Sequence, residues 1–343
     1  MSGDKSHGKR EDSMHHVRFG NTGLKVSRLC LGTMTFGLQC DERTSIGILD
    51  RAAEGGIDFI DTADAYPLGG TVESAGRSEA ILGQWLRGKR EDYIVATKCH
   101  GRMGPNAWNT GLSRKHILEA MDASLKRLQT DYVDLYQLHH PDPDTPMDET
   151  LAAMDDLVRS GKTRYIGVSN HSAWKIARTI GRSELLGLAR FVSVQPRYSL
   201  LFREMERDMF PMCEEEGLAV IPYNPLAGGL LTGKHDKSAA PPEGTRFTLG
   251  TAAKNYTSRY WQDREFATVE ELRRIAAEAD IGMVQLAIAW VLANPVVTSP
   301  IIGASKPEQL DASLAALDTK LTDDLKARLD ELTADYRKGD APR

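Results

Sequence analysis

At 343 residues the chain has room for two average domains or for one α/β barrel, and it can bury a large core without disulfides or a structural metal. Hydrophobic residues at 41% and charged residues at 27% are the balance of a globular protein, and a net charge of −5 with no basic block argues against nucleic acid or an acidic membrane as partner. No apolar run is long enough for a bilayer, residues 1–20 lack the apolar core of a secretory signal, and Cys30, Cys40, Cys99 and Cys213 form no CxxC pair, so a cytoplasmic protein with reduced thiols is expected.

In chain order, residues 1–16 are expected to be a flexible lead-in, 17–336 a single domain and 337–343 a flexible tail. "VRFGNTGLKVS" (17–27) carries an Asn-Thr-Gly turn between two short strands and predicts a hairpin. "SRLCLGT" reads as a strand followed by helical spacing over 44–54, and "DFIDT" precedes a helix at 77–87. "YIVATK" precedes "SRKHILEAMDASLKRL", where Ser113 can cap the helix. "YVDLYQLH" precedes a helix at 148–159 stopped by Gly161, "RYIGVSN" one at 172–181, and "FVSVQ" one at 205–216. "LAVIPYN" leads into the longest irregular stretch, 235–264, before a helix from about 265; "SPIIGAS" precedes a helix at 307–316. Eight strand-then-helix units predict a closed (β/α)8 TIM barrel with an N-terminal β-hairpin and a C-terminal helical segment. A doubly wound two-domain arrangement is the alternative, and no linker supports it.

In a parallel barrel, chemistry gathers at the carboxyl ends of the strands. Those ends carry Thr33 and Met34, Asp61 to Tyr66, Lys98, His139, Ser169 and Asn170, Gln195, Tyr223 to Leu226, and Gly303 to Ser305. A free phenol, with a pKa of about 10, is a poor proton donor or acceptor at neutral pH. An ammonium at Lys98 would lower that value for Tyr66, with Asp61 holding the lysine charged, while His139 can grip a carbonyl oxygen or assist proton transfer. Such a site protonates a carbonyl oxygen as its carbon receives a hydride, and hydride requires a nicotinamide cofactor.

Each residue also has an ordinary reading. Asp61 can cap the following segment, Tyr66 can pack half-buried, and Lys98 can be a solvated lysine. His139 and His140 are adjacent, so on a strand only one would face the mouth. No HExxH or closed zinc spacing occurs, and no metal is expected. The absence of any G-x-G excludes a Rossmann fingerprint. "GGLLTGKH" mimics a P-loop, but His235 replaces the magnesium-binding hydroxyl and no helix follows directly.

The segments "LGTMTFG", "DFIDTADAYPLGG…GRSEAILGQWL", "VATK", "TDYVDLYQLHHPDPDTPMDETL", "GKTRYIGVSN", "SVQPRYSLL", "IPYNPLAGGLLTGK" and "PIIGASKPEQL" together resemble the aldo-keto reductase superfamily over roughly residues 17–335. The likeness is strongest to the branch holding bacterial reductases and potassium-channel β subunits. The resemblance implies a catalytic tetrad at Asp61, Tyr66, Lys98 and His139, with Tyr66 as general acid. It implies NADPH/NADP+, in preference to NADH, held without a Rossmann fold. Ser169, Asn170 and Gln195 would bind the nicotinamide amide and Tyr223 would stack on its ring. Asn224, Pro225, Leu226, Gly228, Leu230 and Lys234 match the phosphate-side loop, and Arg246 a basic residue near the adenosine phosphate. Gly303, Ser305 and Gln309 match the adenosine segment, and Thr33 and Met34, with Asp61, complete the cofactor set.

Two positions depart from the family. Ser313 stands where Asn is frequent, a difference of about 1 kcal/mol for one hydrogen bond, and Lys306 where Arg is frequent, which binds a 2′-phosphate only as a point charge. The implied function is NADPH-dependent reduction of aldehydes or ketones, with a small-molecule carbonyl as partner. The alternatives are a reductase of a nucleotide-linked keto sugar or its enone, and an NADP-binding redox-sensing subunit. Arg102, Trp108, Trp174 and Tyr198 are expected at the substrate rim, and a homo-oligomer is compatible with the sequence.

Overall fold

The computed structural model describes residues 14–340. β1 (His16–Arg18) and β2 (Lys25–Ser27) pair antiparallel with His16 opposite Ser27, the expected hairpin. The alternation then begins: β3 (Cys30–Gly32), α1 (Glu42–Glu54), β4 (Phe59–Asp61), α2 (Arg77–Trp85), β5 (Ile94–Cys99), α3 (Arg114–Leu128), β6 (Val133–Leu138) and α4 (Met147–Arg159). It continues through β7 (Thr163–Ser169), α5 (Ala173–Leu186), β8 (Ser193–Gln195), α6 (Met209–Glu216) and β9 (Ala219–Val220). Then come α7 (Ala253–Tyr260), α8 (Asp263–Glu278), α9 (Met283–Leu292), β10 (Ile301–Ile302), α10 (Leu310–Ala315) and α11 (Asp323–Leu332).

The parallel sheet runs β10-β3-β4-β5-β6-β7-β8-β9. Single bridges, Val220 to Val297 and Tyr223 to Ile301, join its two ends, with Ile301 N donating to Pro222 O at 2.8 Å. The eight strands thereby close into the (β/α)8 barrel.

Local chemistry sets the helix starts. Asp41 Oδ1 accepts from Thr44 N at 2.8 Å at the head of α1, and Ser113 caps α3 by accepting from His116 N at 3.3 Å. Gly161 turns the chain out of α4 with φ 75°, which a Cβ would penalise.

Strand alternation sorts the core into two shells. Phe59, Ala96, Leu135 and Ile221 point inward and meet Phe19 and Val26 of the hairpin, forming an apolar plug at the amino end of the barrel. Phe19 lies edge-on to Phe59 at 5.7 Å. Leu31, Ile60, Val95, Tyr136, Ile166 and Val194 face outward into a larger shell shared with the helices. Each fully buried aliphatic side chain there contributes about 1.5–3 kcal/mol. The plug leaves the carboxyl end of the barrel interior to polar side chains.

Several boundaries differ from expectation. Met14 is buried and β1 begins at His16, so structure starts inside the expected lead-in; residues 1–13 lie outside the described residues. In the expected tail, Arg337 pairs with Glu206 and Asp340 with Arg197; 341–343 lie outside the described residues. The stretch 235–264 is not irregular throughout, because it contains α7 and a 3-10 turn at Gly250–Ala252. α7 buries only Tyr256 and Tyr260, too short a stripe to stand out as a helical period. The same stretch crosses the barrel mouth: Gln39 Nε2 donates to Gly244 O at 2.6 Å, and Thr251 N donates to Gly69 O at 3.4 Å. The helix expected at 205–216 begins only at Met209, and that at 307–316 opens as a 3-10 turn. Among the described residues no single helix is long and apolar enough to cross a membrane.

Candidate active site

Register carries the polar cluster upward from the plug. Phe59 is followed two residues on by Asp61, Ala96 by Lys98, and Leu135 by Gln137, so each inward apolar residue has an inward polar one above it. The three elements converge. Lys98 Nζ donates to Asp61 Oδ2 at 2.5 Å, to Thr62 O at 2.8 Å and to Tyr66 Oη at 3.2 Å. Gln137 Nε2 and Gln195 Nε2 donate to the other oxygen, Asp61 Oδ1, at 3.1 and 2.8 Å. Lys98 is 0% exposed, Asp61 2% and Tyr66 9%, so of the three Tyr66 is the least deeply buried.

His139 completes the group, its ring edge-on to Tyr66 at 5.7 Å between centroids. His140 does not point to the opposite face, as strand alternation would require. β6 ends at Leu138, so the two imidazoles stack at 4.8 Å.

The electrostatics follow from burial with one charged pair inside it. Burial opposes the Lys98 ammonium, but Asp61 and Tyr66 outweigh it and hold the amine above its ordinary pKa. The expectation for Tyr66 is reversed in the free protein. Burial raises the phenol, and Lys98, which pulls it down, does not fully compensate. Burial, helped by Lys98 and the neighbouring imidazoles, holds His139 well below its usual value and therefore neutral. The site at neutral pH is an ion pair, an intact phenol and an uncharged imidazole.

Most residues expected to hold a cofactor follow β7 to β10, while Thr33, Met34 and Asp61 stand at the ends of β3 and β4. Asn170, at φ 60°, donates through Nδ2 to His139 O at 2.9 Å and to Ser169 Oγ at 3.0 Å, and its Oδ1 accepts from Tyr223 Oη at 2.8 Å. Ser169 Oγ donates to Gln195 O at 2.8 Å. Thr33 is buried, its Oγ1 donating to Asp61 O at 3.1 Å, and Met34 packs on the helix-side core.

Beyond Tyr223 the backbone winds tightly: Asn224, Ala227, Gly228 and Gly229 all have positive φ. Gly228 N donates to Asn224 Oδ1 at 3.1 Å, and a Cβ on Gly228 would lie 2.5 Å from Tyr256 Cδ1. Pro225 and Leu230 bury their side chains, while Leu226 is half-buried. The Arg246 guanidinium lies over Tyr256, 5.9 Å from its ring centroid, and its charge acts on the Cys40 thiol. Cys40 Sγ in turn lies 3.7 Å from Ser305 O. Ser305 N donates to Gln309 Oε1 at 2.8 Å, and Gly303 is exposed beside them. Lys234 and Lys306 are exposed, and neither joins the ion pairs formed among the described residues. A tight glycine turn with nearby cations suits a phosphate-bearing ligand.

The rim residues fare unevenly. Trp108 and Trp174 are exposed, and Arg102 Nη1 donates to Gly104 O and Asn106 O of its own loop. Tyr198 is not at the mouth: it is 1% exposed, its hydroxyl bonds Glu206 and Asn294, and its ring stacks on Trp290 at 5.1 Å. Gln137 escaped notice, although its period-2 relation to Leu135 and His139 on "LYQLH" places it on the inward face. Among the described residues no cluster of ligands could hold a metal ion.

The aldo/keto reductase family model matches residues 28–334. The chain is 40% identical over 327 residues to the uncharacterized oxidoreductase YrpG of Bacillus subtilis (93% of this chain and 96% of that protein). It is 38% identical over 311 residues to a probable voltage-gated potassium channel subunit beta of Arabidopsis thaliana (89% and 92%). It is 34% identical over 339 residues to versiconal hemiacetal acetate reductase of Aspergillus parasiticus (90% and 94%). With the barrel, the converging strand ends and these likenesses together, the chain belongs to the aldo/keto reductase family and is an NAD(P)H-dependent oxidoreductase.

Proposed function

We propose that the protein reduces an aldehyde or ketone to an alcohol with NADPH, Tyr66 being the general acid. One observation carries this reading: the Tyr66 hydroxyl sits 3.2 Å from the Lys98 ammonium, which Asp61 anchors at 2.5 Å, all within a buried cluster at the carboxyl end of the barrel strands. Bound NADPH supplies the hydride. Tyr66 keeps its proton in the resting site because burial raises its pKa, so the donor is loaded at neutral pH. As the phenol gives up that proton, Lys98 faces the forming phenolate, and stabilisation appears where charge develops. Neutral His139, edge-on to Tyr66, supplies a ring N–H to the same carbonyl oxygen without adding a competing cation. The amides of Gln137 and Gln195 fix Asp61 and hence Lys98.

Ser169, Asn170, Gln195 and Tyr223 are the residues proposed for the nicotinamide end of the cofactor. The 224–234 turn would take the pyrophosphate, and Gly303, Ser305 and Gln309 the adenosine. Lys234, Lys306 and Arg246, which join no ion pair among the described residues, support NADPH over NADH, because a 2′-phosphate adds charge that these cations can meet. The test is turnover of simple aldehydes with NADPH, followed by nicotinamide absorbance, with tight cofactor binding measured separately. Multiple turnovers that collapse in Tyr66→Phe support the reading. Tight binding without turnover of any carbonyl refutes it.

A further inference from the structure

A cleft of about 280 Å³ opens between the carboxyl ends of β7 and β8 and the helices behind them. It shares Asn170, Gln195 and Tyr223 with the proposed nicotinamide end of the site but includes neither Tyr66 nor Lys98. Its far wall is apolar, built from Ile176, Met205 and Met209. Among the described residues its charged lining consists of Arg197 and Arg259, with no carboxylate in it.

Arg197 is unusual. It is 7% exposed, its guanidinium carbon lies 3.4 Å above the Phe202 ring, and its buried Nη1 has no hydrogen-bond partner among the described residues. A buried guanidinium with an unused donor is expensive to maintain unless something completes it. A carboxylate already docks on its other nitrogen, Nη2: Asp340, from the last described residues of the chain, in an exposed position. Arg259, on α7, is exposed and joins none of the ion pairs among the described residues. The backbone start of α5 adds a third electropositive element, since Ser172 lines the cleft and its side chain makes no capping bond. Tyr223 links this wall to the reacting groups: its phenol feels Arg197, Arg259 and Tyr66 together. Arg259 also acts on His140, beside His139.

Resting on the carbonyl-reductase reading, we propose that this cleft is an anion subsite: the preferred substrate is an aldehyde or ketone with an apolar body and a carboxylate, which Arg197 and Arg259 receive. Asp340 occupies part of the Arg197 fork in the free protein, and the substrate carboxylate takes the remainder. An uncharged carbonyl of equal size forgoes both cations.

The test compares 4-carboxybenzaldehyde with methyl 4-formylbenzoate, which differ in charge but little in shape, using full-length protein and NADPH. The acid is expected to have a kcat/KM at least tenfold above the ester. Arg197→Gln and Arg259→Gln should each bring the ratio towards one through a higher KM for the acid. Arg259 is exposed, so its replacement leaves the fold intact even where that of Arg197 disturbs it. NADPH affinity, from quenching of protein fluorescence, should stay within twofold of wild type in the Arg259 variant. Equal kcat/KM for acid and ester in the wild type overturns the subsite while leaving the reductase reading intact. So does an unchanged ratio in Arg259→Gln, or loss of NADPH affinity in it with the ratio preserved. Absence of turnover on both aldehydes refutes the reductase reading itself.

Discussion

Replacing Lys98 with methionine isolates the charge on which the proposed chemistry depends. At 3.2 Å from Tyr66 Oη, a unit positive charge interacts with a phenolate by about 5 kcal/mol at an effective dielectric near 20. A tenfold change in rate corresponds to about 1.4 kcal/mol, so the gross effect is between three and four orders of magnitude in kcat/KM. Water entering the vacated space returns part of it, and a loss of about a thousandfold is predicted. The substitution also strands Asp61, which is 2% exposed, and an uncompensated buried charge destabilises by roughly 3–5 kcal/mol. The double variant Asp61→Asn/Lys98→Met removes that penalty and should regain much of the stability in urea without regaining activity. The assay is steady-state NADPH consumption with one aldehyde, alongside urea unfolding. A folded Lys98→Met protein retaining more than a tenth of wild-type kcat/KM would refute the role given to the ammonium.

Further outcomes are expected. Tyr66→Phe should lower kcat by at least a thousandfold while NADPH still binds; retained turnover would shift the acid elsewhere. Gln137→Leu removes a 3.1 Å donor to a buried carboxylate, so urea titration should show a loss of about 1.5–3 kcal/mol, with a fall in kcat and little change in KM. A midpoint equal to wild type would show that Gln195 and Lys98 suffice to hold Asp61. Gly228→Ala puts a Cβ 2.5 Å from Tyr256 at φ 70°, and NADPH should bind at least tenfold more weakly in a fluorescence titration. His235 is held at about 4 by burial against Phe247 and Trp261, with Lys234 adding repulsion. Its folded pKa lies below the ordinary 6.5, so its contribution to stability is complete above pH 6.5 and is lost as pH falls towards 4. His235→Phe should therefore flatten the stability profile between those limits, and an unaltered slope by thermal melting would exclude this histidine as a source.

The barrel and its reacting groups were legible because a parallel strand end is a place as well as a conformation. Asp61, Lys98 and His139 each follow an apolar run, and the architecture brings such positions together whatever their separation in the chain. What resisted reading depends on contacts between segments rather than on patterns within them. Tyr198 follows a strand end just as Tyr66 does, yet Trp290 and Glu206 draw it into the helical layer. The phenol of Tyr66 is raised rather than lowered because its burial exceeds the pull of one ammonium, a balance of depth that residue types do not encode. Arg197 in "QPRYS" looks like any surface arginine until Phe202 and Asp340 close over it.

The closure of the barrel has a consequence for how the protein responds to what it binds. β9 and β10 are two residues each and share no continuous register; two isolated bridges and a few hydrogen bonds involving Val220, Pro222 and their neighbours close the wall there, so this junction is its least continuous course. The proposed dinucleotide segments, 224–234 and 303–309, spring from these same two strands. A molecule lying across both would act as a rivet over the join, and amide exchange around Val220, Tyr223 and Ile301 would slow far more than at β5 or β6 once it is seated.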